Sequence, residues 1–190
     1  ATPGLLPVDQ SLGANLNIPV TQAGTLNLAY LWLSSDTSSP VNSASANGVR
    51  VLGGDLKLSH SKMGIEGGYS KSDLVSNDKV VLQRDNEAYW VTVNKDWNKA
   101  GAKAGYRYIA PQFGAPGDWG RIGIWWNPTD IKGFTTDVHY DINQILRLSA
   151  GGEFYSGVGA PTSTLSQDDK IQRYQVGLTY SKQKFDVTMG

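Results

Sequence analysis

Apolar and polar residues alternate with a period of two along most of this chain, the spacing of strands with two unlike faces rather than of amphipathic helices. In Thr25–Leu33, the residues Leu26, Leu28, Tyr30 and Trp32 share one face. Within Ala88–Trp97, Tyr89, Val91 and Val93 point one way, and Trp90, Thr92, Asn94 and Asp96 the other. Ala100–Ile109 sets Ala100, Ala102, Ala104, Tyr106 and Tyr108 against Gly101, Lys103, Gly105 and Arg107. Phe134, Thr136, Val138 and Tyr140 oppose Thr135, Asp137, His139 and Asp141. Leu146, Leu148, Ala150 and Phe154 oppose Arg147, Ser149, Gly151 and Glu153. Tyr174, Val176, Leu178 and Tyr180 oppose Arg173, Gln175, Gly177 and Thr179. Weaker alternation covers Leu16–Val20, Val49–Ser59, Met63–Ser70 and Phe185–Met189. This predicts an all-β chain of about ten strands.

Alternation alone does not say which face is wet, because a soluble sandwich also pairs an apolar inner face with a polar outer one. The composition of the polar face decides. It carries small residues and charges of both signs, as the lumen of a transmembrane barrel does, while aromatics gather near strand ends at the headgroup level. Tyr106, Tyr108, Tyr140, Tyr155, Tyr174, Tyr180, Trp32 and Trp97 are the expected girdle residues. Ten residues at ~3.3 Å, tilted ~45°, rise about 23 Å, close to the ~25 Å apolar band of such barrels. Short connections at 21–24, 60–62, 97–99, 142–144 and 181–183 take turns with long ones near 34–48, 72–87, 110–130 and 156–170. The predicted fold is an antiparallel up-and-down transmembrane β-barrel, one domain over 1–190.

Both chain ends then fall on the long-loop side, and Val187-Thr188-Met189-Gly190 lacks a terminal aromatic. Either one strand at each end escapes the count, or the chain is a segment of a larger barrel; the second reading is the expectation. Barrel size bears on transport. About eight strands leave an interior filled by side chains and 16–18 leave an aqueous channel, so a diffusion pore here needs further strands or partner chains.

Charge and composition remove other classes. Seventeen basic and seventeen acidic residues cancel, which argues against a nucleic-acid partner. There is no cysteine for disulfides, thiolate metal sites or thiol catalysis. No run of about 18 apolar residues offers a spanning helix. Glycine is plentiful, 22 of 190 residues, and 10% of residues are aromatic, so the chain has ample material for packing.

The stretch 105–123, from Gly105-Tyr106-Arg107-Tyr108 through Pro111-Gln112-Phe113-Gly114 to Trp119-Gly120-Arg121, continues with Asn127-Pro128-Thr129-Asp130-Ile131-Lys132-Gly133. It resembles the barrel region of outer-membrane porins that carry S-layer-homology domains, a likeness confined to about 105–155. The resemblance implies a bacterial outer-membrane barrel, often oligomeric, that passes small solutes and is tied to the cell wall. The helical tethering module of that family has no counterpart in this sequence.

Two groups are the candidate functional residues. Asp55, Lys57, Glu66, Lys103, Arg107, Asp137, Asp141, Arg147, Glu153 and Arg173 fall on the polar face. They are pore-lining candidates, either as facing ladders that set ion preference or as neutralising cross-strand pairs. Lys103 and Arg107 against Asp137 and Asp141 is the first pairing to examine. Phe113, Asp118, Trp119, Arg121, Trp125 and Trp126 in the 110–130 loop form a constriction, a subunit interface or a lid over the chain's own barrel mouth. Catalysis finds little footing. His139 stands between Asp137 and Asp141 with Ser149 on a neighbouring strand, but alternate residues project ~7 Å apart, so the acid need not reach the imidazole that a nucleophile requires, and His60 falls in a turn. Asp168-Asp169 and the polar 34–48 stretch lack EF-hand spacing for calcium.

The expected function is therefore a porin-like conduit of the outer membrane with no cofactor. Its expected partners are membrane lipid and further copies or other envelope proteins. The alternatives are a structural or adhesive barrel without transport and a soluble sandwich that binds carbohydrate through exposed tryptophan.

Overall fold

β-Branched, aromatic and small residues dominate the periodic segments, and these fit a pleated surface better than a helix. The computed structural model describes residues 9–41, 44–76, 79–82, 84–114, 121–122, 125–160, 165–182 and 185–189, with the side chains at 35–41, 44–46, 82, 121, 126, 182 and 185–189 outside that description. Its strands are β1 (Gln10–Thr21), β2 (Gly24–Val41), β3 (Ala44–His60), β4 (Met63–Ser76), β5 (Lys79–Leu82), β6 (Glu87–Asp96) and β7 (Ala100–Ile109), followed by β8 (Arg121–Ile122), β9 (Trp125–Trp126), β10 (Ile131–Asp141), β11 (Leu146–Gly157), β12 (Lys170–Lys182) and β13 (Phe185–Met189). Among the described residues there is no helix.

Ten strands make one antiparallel sheet in the order β1-β2-β3-β4-β6-β7-β10-β11-β12-β13, each beside its predecessor. The all-β, antiparallel, up-and-down reading is thus correct. Short β5 pairs with β4, and β8 with β9 forms a separate hairpin. Short turns gather at one end of the sheet. At the β3–β4 turn, Ser61 and Lys62 take φ of 44° and 65°, as a two-residue hairpin needs to follow the strand twist. Beside it, Lys62 Nζ donates to Asn98 Oδ1 at 3.0 Å, and Asn143 Oδ1 accepts from Ile145 N at 2.9 Å in the β10–β11 turn.

Three expectations need correction. Among the described residues no pairing joins β1 to β13, so the sheet is open and the expected barrel closure is absent. β13 offers five residues against the twelve of β1, too little to match its length. The stretches near 34–48 and 72–87 are largely strand, because β2 and β3 continue to Val41 and Ala44 past a register shift between Ser34 and Ser39, and β4 continues to Ser76 and pairs with β5. A hairpin ladder is built from backbone groups, so serine-rich chain extends without an apolar stripe. Finally, Tyr155 is no girdle residue. Two positions from Glu153 on β11, it shares that residue's face and is buried.

Register shows that the two faces are continuous across the sheet. Leu16, Leu28, Leu56, Ile65, Val91, Tyr106, Phe134, Val138, Leu148 and Val176 all lie on one face. Leu28 is 41% exposed, Val91 42%, Leu148 45% and Val176 67%. The opposite face is the crowded one. There Trp90 lies over Gly68, where a Cβ would come within 2.6 Å of the indole Nε1. Most of the buried apolar residues also sit on that side, at the long-loop end, in two clusters, while buried Val75 pairs with Gly48 on the apolar face. Val49 and Leu74 pack with Leu33 and Val51; Ile109, Ile131 and Tyr155 pack with Phe113 and Ile122.

Candidate functional site

Successive strands align the side chains of the crowded face in rows. One row runs Lys57, Glu66, Thr92, Gly105, Thr135, Glu153 and Arg173. The next, toward the short turns, holds Asn94, Lys103, Asp137, Gly151 and Gln175. One step toward the long loops come Asp55, Gly68, Trp90, Arg107, Gly133 and Tyr155. At the short-turn end Asp141 faces Arg147. All ten charged residues singled out from the sequence therefore share this face. Period two carries every one of them there together.

Most charges meet an opposite sign directly across a strand boundary. The Arg147 guanidinium grips Asp141 as a fork, Nε to Oδ1 at 2.6 Å and Nη2 to Oδ2 at 3.1 Å. Arg173 stands 4.0 Å from Glu153. Lys57 is register partner to Glu66, and Lys103 to Asp137. Asp137 Oδ1 accepts from Gln175 Nε2 at 3.1 Å, and Asp55 Oδ2 from Asn27 Nδ2 at 2.8 Å. Of the quartet to examine first, only Lys103 and Asp137 are direct partners. Arg107 faces Trp90 and Gly133, and Asp141 belongs to Arg147. The face is thus locally neutralised, and pairs this exposed to water contribute little to stability. Between these rows lies a hollow of about 270 Å³ whose lining includes Trp90, Thr92, Lys103, Arg107, Thr135 and Asp137.

The described parts of 110–130 lie on the same face at the long-loop end. Phe113 and Ile122 are buried against Ile109, Ile131 and Tyr155, with Trp125 packed on the same cluster. Asp118 and Trp119 lie outside the described residues, as do the side chains of Arg121 and Trp126. Two polar nodes hold the segment down. At the first, the buried Asn86 side chain donates to the Ser72 carbonyl and, at 2.9 Å, to Asp73 Oδ1, while Ser72 Oγ accepts from Gly114 N at 2.9 Å. At the second, buried Asp130 Oδ2 accepts from the backbone N–H groups of Gly159 and Ala160, each at 3.1 Å.

Sequence reasoning passed over Ser72, Asn86 and Asp130. Their signal was turn chemistry. Asp85, Asn127 and Asp130 take φ of 50°, 42° and 60°, a conformation that asparagine and aspartate tolerate better than most residues. Replacing Asn86 with alanine leaves the buried Ser72 carbonyl short of a donor. The expected cost is about 1–3 kcal/mol, read as a lower denaturant midpoint together with faster proteolytic nicking within 110–130.

No protein-family model, curated protein or solved structure matches this chain. Chemistry must then be read from the side chains themselves. Ser149 stands across from His139, but its hydroxyl donates to the Gly177 carbonyl at 3.3 Å. Asp137, next on that face, is engaged by Gln175. Asp169 Oδ2 accepts from Ser166 N at 2.7 Å and closes its own turn. Among the described residues no three histidine, aspartate or glutamate side chains converge to hold a metal. What the crowded face offers is a polar, charge-balanced surface with Phe113, Ile122 and Trp125 packed at one end.

Proposed function

We propose that this chain forms the wall of an outer-membrane β-barrel that passes small solutes and ions, its apolar face against lipid and its charged face against water. The observation that carries the reading is the two-faced sheet. Large apolar side chains are exposed on one face from β1 to β12, while the charges line the other. An exposed apolar surface of this extent is foreign to a soluble monomer.

The dimensions agree. On β3 the apolar face runs from Arg50 to His60 with only Leu52, Gly54, Leu56 and Leu58 between. Ten steps of ~3.3 Å make about 33 Å, or about 23 Å along the membrane normal at ~45° tilt. Aromatic side chains mark the long-loop edge of this band. Tyr89 stacks on Tyr108 with centroids 4.9 Å apart, and Phe134 on Phe154 at 4.8 Å. Trp97, Tyr140 and Tyr180 mark the other edge and are exposed. In a soluble sandwich a second sheet would cover Leu28 and Val176. Among the described residues the remaining sheet is the β8–β9 hairpin, and its Ile122 packs on the charged side.

On this reading passage is passive, and selection comes from the width between neutralised walls and from the 110–130 lid. The open edges of β1 and β13 need covering in lipid, where every backbone group must be paired; further copies or other envelope chains would supply the strands. Planar-bilayer recording on the reconstituted chain tests the proposal. Discrete openings are expected. A chain that inserts fully yet stays silent would leave a structural wall in place of a conduit. One that remains monodisperse without any amphiphile would remove the membrane reading altogether.

A further inference from the structure

At the long-loop side, the apolar face ends in a groove of about 320 Å³ between β10, β11 and β12. Its lower part is lined by Phe134 and Phe154, and Tyr174 adjoins them. Phe134 stacks on Phe154 at 4.8 Å, and Phe154 meets Tyr174 edge-on at 5.3 Å. Its upper lip is cationic. Register sets Lys132, Ser156 and Lys170 side by side in one row, the serine between the two lysines.

Both lysines are exposed and both line the groove, whose lining holds no carboxylate. Among the described residues neither has an ion-pair partner. Of the nearby acids, Asp130 is buried under the Gly159 and Ala160 amides, Asp169 caps Ser166, and exposed Asp168 makes no ion pair with either lysine among the described residues. The rest of the same rim differs. Lys71 has Asp73 at 3.7 Å and faces Glu87, and Arg50 faces Asp73. Two uncompensated cations flanking a hydroxyl thus coincide with the aromatic end of the apolar band.

Strands lie ~4.8 Å apart, which puts the two lysine stems about 10 Å from each other. Flexible ammonium-tipped stems of that kind close on a phosphate from both sides and keep their methylenes on apolar surface. We propose that this groove binds one anionic membrane lipid. Its phosphate sits between Lys132 and Lys170, the Ser156 hydroxyl donates a third hydrogen bond, and an acyl chain lies over Phe134, Phe154 and Tyr174. The assignment rests on the membrane reading above and names the lipid class that this part of the wall prefers.

The test uses the full chain reconstituted into vesicles of phosphatidylcholine alone or mixed with phosphatidylglycerol. Lipid retained after brief detergent extraction is counted by native mass spectrometry. Phosphatidylglycerol should be retained over phosphatidylcholine by about tenfold or more, given the roughly fivefold that each surface lysine contributes toward an anionic headgroup. The Lys132→Gln/Lys170→Gln variant should lose that preference, and Lys132→Arg/Lys170→Arg should keep it, which separates lost charge from misfolding. Equal retention of both lipids by an inserted chain, or a preference untouched by the glutamine pair, would overturn the proposal while leaving the membrane reading intact. Displacement of the lipid by inorganic phosphate alone at low millimolar concentration would make the site a free-phosphate site and overturn the lipid assignment. Failure to associate with vesicles of either composition would defeat both.

Discussion

Arginine in place of Val138 should destabilise the chain folded in phospholipid vesicles by about 2–4 kcal/mol, whereas arginine in place of Thr135 should cost far less. The two positions lie three residues apart on β10, so they share strand, neighbours and local propensity. They differ in face. Val138 is exposed on the apolar side, between Ala102 of β7 and Ala150 of β11. Thr135 stands on the charged side, beside Gly105 and Glu153. In water an arginine at an exposed valine would shift stability by no more than about 0.5 kcal/mol. Only hydrocarbon makes it expensive, so the contrast measures the solvent outside the sheet. Reversible guanidinium unfolding in vesicles gives both values, and equal penalties would sink the face assignment.

Truncating Phe113 to alanine should cost about 3–5 kcal/mol, the range for an aromatic side chain removed from a packed core. Phe113 is 6% exposed and lies within the cluster of Ile109, Ile122, Ile131 and Tyr155. That cluster fastens Phe113 and Ile122 to the charged face, so the loss should be felt beyond stability. If the segment limits passage, single-channel conductance should rise in the Phe113→Ala variant as the lid loosens. A loss of stability with unchanged conductance would make the cluster a purely structural fastening.

Much of this architecture was legible because period two is a strict rule. Once Val91 and Val93 were set against Thr92 and Asn94, parity fixed every other residue of β6, and register did the same from strand to strand. The ten charged residues land together for that reason, without knowledge of the sheet. Closure was not legible, since alternation reports which face a residue occupies and says nothing of whether the first strand meets the last. The polar nodes escaped for a different reason. Asn86 and Asp130 act through backbone groups 14 and 30 residues away, Ser72 and Ala160, and periodicity does not encode partners at that range. Tyr155 was misassigned because its place near a strand end outweighed its parity. In the structure parity decides.

β1 is where the open sheet has its longest bare margin. Twelve residues without a single charge, all exposed, leave their outward amides and carbonyls unclaimed among the described residues. Sheet edges that must stay solitary in water are usually guarded by a lysine, a bulge or a proline, and here Pro19 and the register shift between Pro19 and Thr21 guard one end alone. Stripped of amphiphile, such a margin templates the next chain it meets, so the purified protein should form amyloid-like fibrils, and should do so faster as its concentration rises.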